Sequence, residues 1–248
     1  MNGNELKPFW SKFFRFNWKL GLFLLVIVCI PRLYLVLKAN QTGNYGPIGV
    51  IMFISALIPF LFLSNFGKSL VGIKTTKKWE MLILAFFLGV AFSLILYYIG
   101  KELYDNTSKN WYVYIGRSYN IPVDISADDK RTMFMIMAIT GMIFSPIGEE
   151  FFFRGIVHGS FAKSIGERKA SFVDSLAFAL THLAHFGIVF INNKWNFYFT
   201  PTIIWLVGMF TVSILFFKMK KLTDSILGAI FCHAGFNLGM IYSIFYLL

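Results

Sequence analysis

Apolar runs alternate with short basic punctuation along the whole chain. The runs fall at about 20–38, 47–66, 79–100, 132–163, 170–190, 200–217 and 224–247. Several approach or exceed the ~18–20 residues that let a helix cross a bilayer. The alternating ~10-residue segments that mark a membrane β-barrel are absent. The pattern therefore predicts an all-α, polytopic transmembrane helix bundle of about seven spans, or eight if another lies within 101–130. A single membrane domain over 1–248 is the simplest division. Pro47 and Pro201 suit first helical turns, and Thr223-Asp224 reads as an N-cap. Trp79, Trp111 and Trp195 fall where aromatic belts form. The long 101–130 connection carries Trp111-Tyr112-Val113-Tyr114 and reads as a surface helix or a re-entrant piece.

Composition supports the membrane reading. Hydrophobic residues make up 57% of the chain and charged residues only 14%, against about a quarter charged in soluble domains. The formal net charge of +11 does not point to nucleic acid, because no basic stripe sits on a soluble module. The basic residues sit between apolar runs, where they set topology and meet anionic lipid. Residues 1–19 mix Lys7, Lys12, Arg15 and Lys19 with Phe and Trp, which suits a short interfacial helix. Pro31-Arg32-Leu33-Tyr34 is no small-residue cleavage site, so a removed signal peptide is not expected. With seven spans, most Lys and Arg fall on the N-terminal side, while Arg32 and Lys38 fall opposite. The N-terminus is therefore expected in the cytoplasm. Cys29 and Cys232 read as small buried hydrophobes.

Three apolar runs contain ionisable or amide groups, which are costly there and mark function. Glu149, Glu150 and Arg154 share the fourth run with Pro146, a kink former. Glu150 and Arg154 are spaced i, i+4 and can pair, which leaves Glu149 the freer carboxylate. Gly141, Gly148, Gly155 and Gly159 form a small-residue seam for a neighbouring helix. The fifth run holds His182 and His185, and the seventh holds His233 and Asn237 at i, i+4. At ~1.5 Å per residue, Glu149, His182 and His233 all lie roughly 15–20 Å deep. A water-filled pocket between three helices accounts for that coincidence.

These motifs resemble the CAAX protease and bacteriocin-processing (CPBP, or Abi) family of intramembrane proteases, related to the Ras-converting prenyl-protein endopeptidase. Glu149, Glu150 and Arg154 match its Glu-Glu-x-x-x-Arg. Phe178 and His182 match its Phe-x-x-x-His, and His233 and Asn237 its His-x-x-x-Asn. The resemblance covers a catalytic core at about 130–240. It implies that Glu149 activates water with help from His182. It places His233 and Asn237 at the scissile carbonyl oxygen, with Glu150, Arg154 and Phe178 in support. An alternative view within the family makes Glu149, His182 and His233 ligands of a divalent metal, usually zinc; the residues themselves do not choose between the two. His158 and His185 lie outside the motifs.

The expected function is an intramembrane endopeptidase. Its substrate is a lipidated or membrane-associated peptide or protein, with leader or signalling peptides of the bacteriocin kind favoured over prenylated proteins. Membrane lipid is the other expected partner, and nucleic acid is not one. The rivals are a non-proteolytic scaffold or bacteriocin-immunity protein of the same fold, and a proton-coupled transporter. The transporter would need paired repeats of broken helices, which the chain lacks.

Overall fold

The computed structural model describes residues 4–248. Its ten α-helices are α1 Trp18–Thr42, α2 Gly46–Phe62, α3 Asn65–Leu70, α4 Trp79–Tyr104, α5 Trp111–Gly116, α6 Ala127–Glu150, α7 His158–Ile165, α8 Glu167–Thr181, α9 Phe199–Thr223 and α10 Ile226–Tyr246. A π-helical segment, Phe151–Val157, joins α6 to α7 in one continuous helix from Ala127 to Ile165. A hairpin of β1, Ile188–Ile191, and β2, Lys194–Phe197, lies between α8 and α9. Five helices are long and apolar enough to cross a membrane: α1, α4, the Ala127–Ile165 helix, α9 and α10. The apolar α2 is shorter, at 17 residues, and α8 has 15.

Local sequence sets the helix ends. Asn17 caps α1 by accepting from the Lys19 N–H, and Gly43 closes the helix in the left-handed conformation. Ser126 caps α6 through the Asp129 N–H, with Asp128 and Asp129 in its first turn complementing the helix dipole. The N-cap of α10 is Ser225, whose side chain accepts from the Leu227 N–H. Thr223 and Asp224 instead end α9, with Asp224 left-handed; this corrects the N-cap expected there.

The bundle has two distinct ends. At the N-terminal end, Lys163 meets Glu5 at 2.5 Å, Lys74 meets Asp224 at 2.6 Å and Lys221 meets Glu167 at 3.2 Å. The Lys78 ammonium donates to the Leu222 carbonyl at the same end. At the opposite end, the Asn40 amide donates to the Ala184 carbonyl and the Phe190 N–H to the Tyr114 hydroxyl. The long helices therefore alternate in direction.

Close helix approach is bought by glycine chiefly between α4 and α10. A Cβ on Gly89 would sit 1.9 Å from the Cys232 carbonyl oxygen, and one on Gly235 2.0 Å from that of Phe86. The glycines of the Ala127–Ile165 helix do not form one seam. Gly141 faces Ile241, Gly148 the Met52 backbone and Gly159 Val71, while Gly155 is only loosely approached.

Three other local readings change. Residues 182–190, expected to complete a span, turn out of α8 and enter the hairpin. Gly187 at φ 133° makes the turn, and Asn192 and Asn193, both left-handed, link the strands. The 101–130 connection is not a surface feature throughout, because Trp111 and Tyr112 are fully buried and Trp111 stacks on Trp205 at 6.1 Å. Trp111 therefore belongs to the core, whereas Trp79 and Trp195 are exposed. Between residue 4 and the start of α1 the only helical turn is 3-10, Trp10–Lys12, with Trp10 stacked on Phe62.

Candidate active site

Glu149 and Glu150 end α6, where the ladder gives way to the π-helical segment. The irregularity falls just past the paired acids, whereas Pro146 lies inside α6; π turns of this kind recur at functional sites. Both carboxylates are buried, at 2% and 0% exposure, and their partners differ. Glu149 Oε1 accepts from the Ser145 hydroxyl at 2.5 Å and lies 3.1 Å from Arg32 Nη2. Its Oε2 is buried with no hydrogen-bond partner. Glu150 Oε1 pairs with His233 Nδ1 at 2.7 Å, and its Oε2 lies 3.2 Å from Arg154 Nε.

Arg32 is the residue that sequence reasoning misplaced. The charge pattern sets it on the far side of the membrane, but it sits inside the 25-residue α1 and is 3% exposed. A signal for this exists in the sequence. Leu24, Val28, Arg32 and Val36 recur at four-residue spacing and form the buried face of α1. Continuing that stripe through Arg32 places its guanidinium in the bundle, where it requires a buried anion.

Phe178 holds the two histidines. Its ring lies 4.4 Å from that of His182 and 5.8 Å from that of His233. The Arg154 guanidinium stands 4.4 Å over the same ring, and Arg154 Nη2 donates to Ser213 Oγ at 2.5 Å. Phe216 stacks on His233 at 4.7 Å. His182 Nδ1 lies 2.8 Å from the Phe178 carbonyl. A carbonyl only accepts, so Nδ1 carries the proton and Nε2 of neutral His182 is a free acceptor. His233 gives its Nδ1–H to Glu150, so its Nε2 is likewise free of that bond. Asn237 donates one amide hydrogen to the Gly141 carbonyl at 2.9 Å and keeps a second.

The four expected catalytic residues therefore come from three helical regions to one buried place. Arg32, His233 and His182 are the charged or ionisable groups that act on the Glu149 carboxylate. His185 stacks beside His182 at 5.3 Å. His158 goes elsewhere and pairs with the buried Asp174 at 2.5 Å.

The metal alternative is not matched by this donor set. Among the described residues, no group of three or more His, Cys, Asp or Glu is placed to hold a metal ion. The carboxylate that would be the anionic ligand is already neutralised by Arg32 at 3.1 Å.

Residues 131–239 match the family model described as type II CAAX prenyl endopeptidase Rce1-like. The similarity is confined to this stretch, which is less than half of the chain. The resemblance to CPBP proteases holds over all three motifs, from Glu149 to Asn237. Neither a curated protein nor a solved structure matches the chain. The family is one of CAAX-type endopeptidases, and with five apolar helices the chain is an integral membrane protein. The Rce1-like stretch contains His182, His233 and both glutamates, but Arg32 lies outside it.

Proposed function

We propose that the chain is an intramembrane endopeptidase that cleaves a membrane-associated peptide with water activated by Glu149. The carrying observation is the asymmetry of that carboxylate. Oε1 is held by Ser145 and Arg32, and Oε2 is buried without a partner. A base held by one oxygen keeps its other oxygen aimed and available.

In this reading, a water donates one hydrogen to Glu149 Oε2 and the other to the free Nε2 of His182. Its oxygen attacks the scissile carbonyl carbon while Glu149 takes the proton. The carbonyl π electrons move onto oxygen, and the resulting oxyanion meets the second N–H of Asn237. His233 adds a donor from Nε2 when its ring carries both protons, a cation beside the Glu150 anion. Breaking the C–N bond expels the amine, which recovers the proton from Glu149. Donors aimed at the oxyanion in a dry site each contribute ~2.7–4 kcal/mol to such a step. The substrate we favour is a leader or signalling peptide, with lipidated proteins the other case. The basic N-terminal end faces the cytoplasm in this reading.

The buried Arg32–Glu149 pair also favours a second reading, a non-proteolytic scaffold in which Glu149 serves only to neutralise Arg32. One substitution separates the two. Glu149→Gln in proteoliposomes should abolish cleavage of a membrane-associated peptide while the protein remains folded in detergent. Wild-type protein that cleaves no peptide, with a Gln variant that merely melts earlier, would establish the scaffold.

A further inference from the structure

The catalytic groups are not equally enclosed. Glu149, His233 and Asn237 are 2%, 3% and 8% exposed, whereas His182 is only half-buried. Of these four groups, His182 is the least enclosed. Its neighbour is His185, which lines a cavity of about 180 Å³. A water occupies ~30 Å³ of the liquid, so the cavity has room for several. Its walls include Asn40, Tyr45, Tyr114, Arg117 and Ser118.

The walls of this cavity are built. Asn40 donates to the Ala184 carbonyl at 2.7 Å, next to His185, and accepts from the Tyr45 hydroxyl at 2.9 Å. The Tyr114 hydroxyl takes the Phe190 N–H at 2.9 Å and so fixes the hairpin beside the opening. Arg117 stands 6.0 Å over the Tyr114 ring. The cavity is formed by the α1–α2 turn, by α5 with the residues just after it, and by the segment from His185 into β1. All of them lie at the end of the bundle opposite the N-terminus.

We propose that this cavity is the aqueous entrance to the active site, admitting water and the polar, non-lipidated stretch of the peptide from the end opposite the N-terminus. The inference rests on the endopeptidase reading for its substrate, and on the geometry alone for its location. Apolar or lipidated parts of the substrate stay in the bilayer, while hydroxyl, amide and guanidinium groups meet its backbone and acidic side chains. Arg117, exposed at the rim, selects against a basic residue there.

The test uses full-length protein in sealed vesicles and a charged, membrane-impermeant thiol reagent. Ser118→Cys reports on the cavity, and Lys77→Cys on the N-terminal end, with the wild type giving the background of Cys29 and Cys232. Ser118→Cys should react only from the side opposite that of Lys77→Cys. Modification should lower cleavage by the same Ser118→Cys protein at least tenfold relative to its own unmodified rate. Modified Lys77→Cys protein should keep its rate. Reaction of both positions from one side overturns the proposal, as does a fully modified Ser118→Cys protein that cleaves at its unmodified rate. If no chain cleaves, the endopeptidase reading fails separately. The cavity is then judged by His185→Cys, whose reaction from the Ser118 side supports an open path inward and whose inertness refutes it.

Discussion

Two clusters of buried ionisable groups lie along the one helix from Ala127 to Ile165, and they are built differently. Around Glu149 and Glu150, two arginines and two histidines surround two acids, and Glu149 Oε2 is left without a partner. Around His158, a single imidazole is bonded to Asp174 at 2.5 Å, with Ser175 on the other carboxylate oxygen. Glu167 lies 3.6 Å from the far ring nitrogen, and Lys221 pairs with Glu167. The first cluster adjoins a polar cavity through His182 and His185; the second is closed over by Phe217 at 4.8 Å. Burial and charge are common to both. His158 Nε2 is also buried without a hydrogen-bond partner, so what separates a candidate catalytic centre from a structural brace is the path to water.

That distinction can be broken by experiment. The largest effect should come from Glu149→Gln set against Asp174→Asn. The first should lower kcat by at least 10²–10⁴-fold, the usual worth of a general base, and the second should leave kcat within a few-fold while lowering Tm. Equal losses of cleavage in both would erase the difference between the clusters. Next comes Arg32. Arg32→Gln strands a buried carboxylate, and breaking such a pair costs about 3–5 kcal/mol. Adding Glu149→Gln should restore part of that stability, a coupling read from detergent melting of the four proteins in the cycle. Additive losses would mean that the 3.1 Å contact carries no energy.

Chelation should change little. Exhaustive treatment with a divalent-metal chelator is expected to leave peptide cleavage intact, because Arg32 holds the carboxylate a metal would need. Loss of cleavage, restored by zinc, would return Glu149, His182 and His233 to the role of ligands. The smallest effect belongs to the brace. His158, whose Nε2 lies 3.6 Å away, is opposed by partial burial and aided by Lys221, and brings the Glu167 carboxyl down to about 2. A depressed carboxyl stabilises the fold above its unfolded value of 4.5, and this contribution is lost as pH falls from there through about 2. Glu167 is half exposed, so solvent screens the effect. The acid-induced drop in Tm should be slightly shallower in Glu167→Gln than in the wild type.

The architecture was largely legible because apolar length is a strong signal, and the five long helices fall where the runs do. The three motifs were legible because polar groups in apolar runs stand out. The remainder depended on contacts between distant segments. Arg32 lies inside the 20–38 run yet counts with Lys38 toward the far side, although its four-residue spacing with Val28 and Val36 marks it as buried. The hairpin was hidden because Ile188 to Ile191 is as apolar as a helix, and only the left-handed Asn192-Asn193 pair betrays it. Glu150 was read as the partner of Arg154 alone. Its bond to His233 spans 83 residues, and no local pattern encodes it.

One feature of the long helix explains how it serves both clusters. By α-helical counting, Glu150, Arg154 and His158 follow one another at four-residue steps and would share a face. The π segment over Phe151–Val157 closes each turn with an extra residue, so the side chains fall progressively behind that count. The phase slip turns His158 away from Glu150 and toward Asp174. It works as a switch of register within a single rod, placing Glu150 and Arg154 in one buried cluster and His158 in the other. Deleting one residue between Phe151 and Val157 would cancel the slip and set His158 against the face that now holds His233.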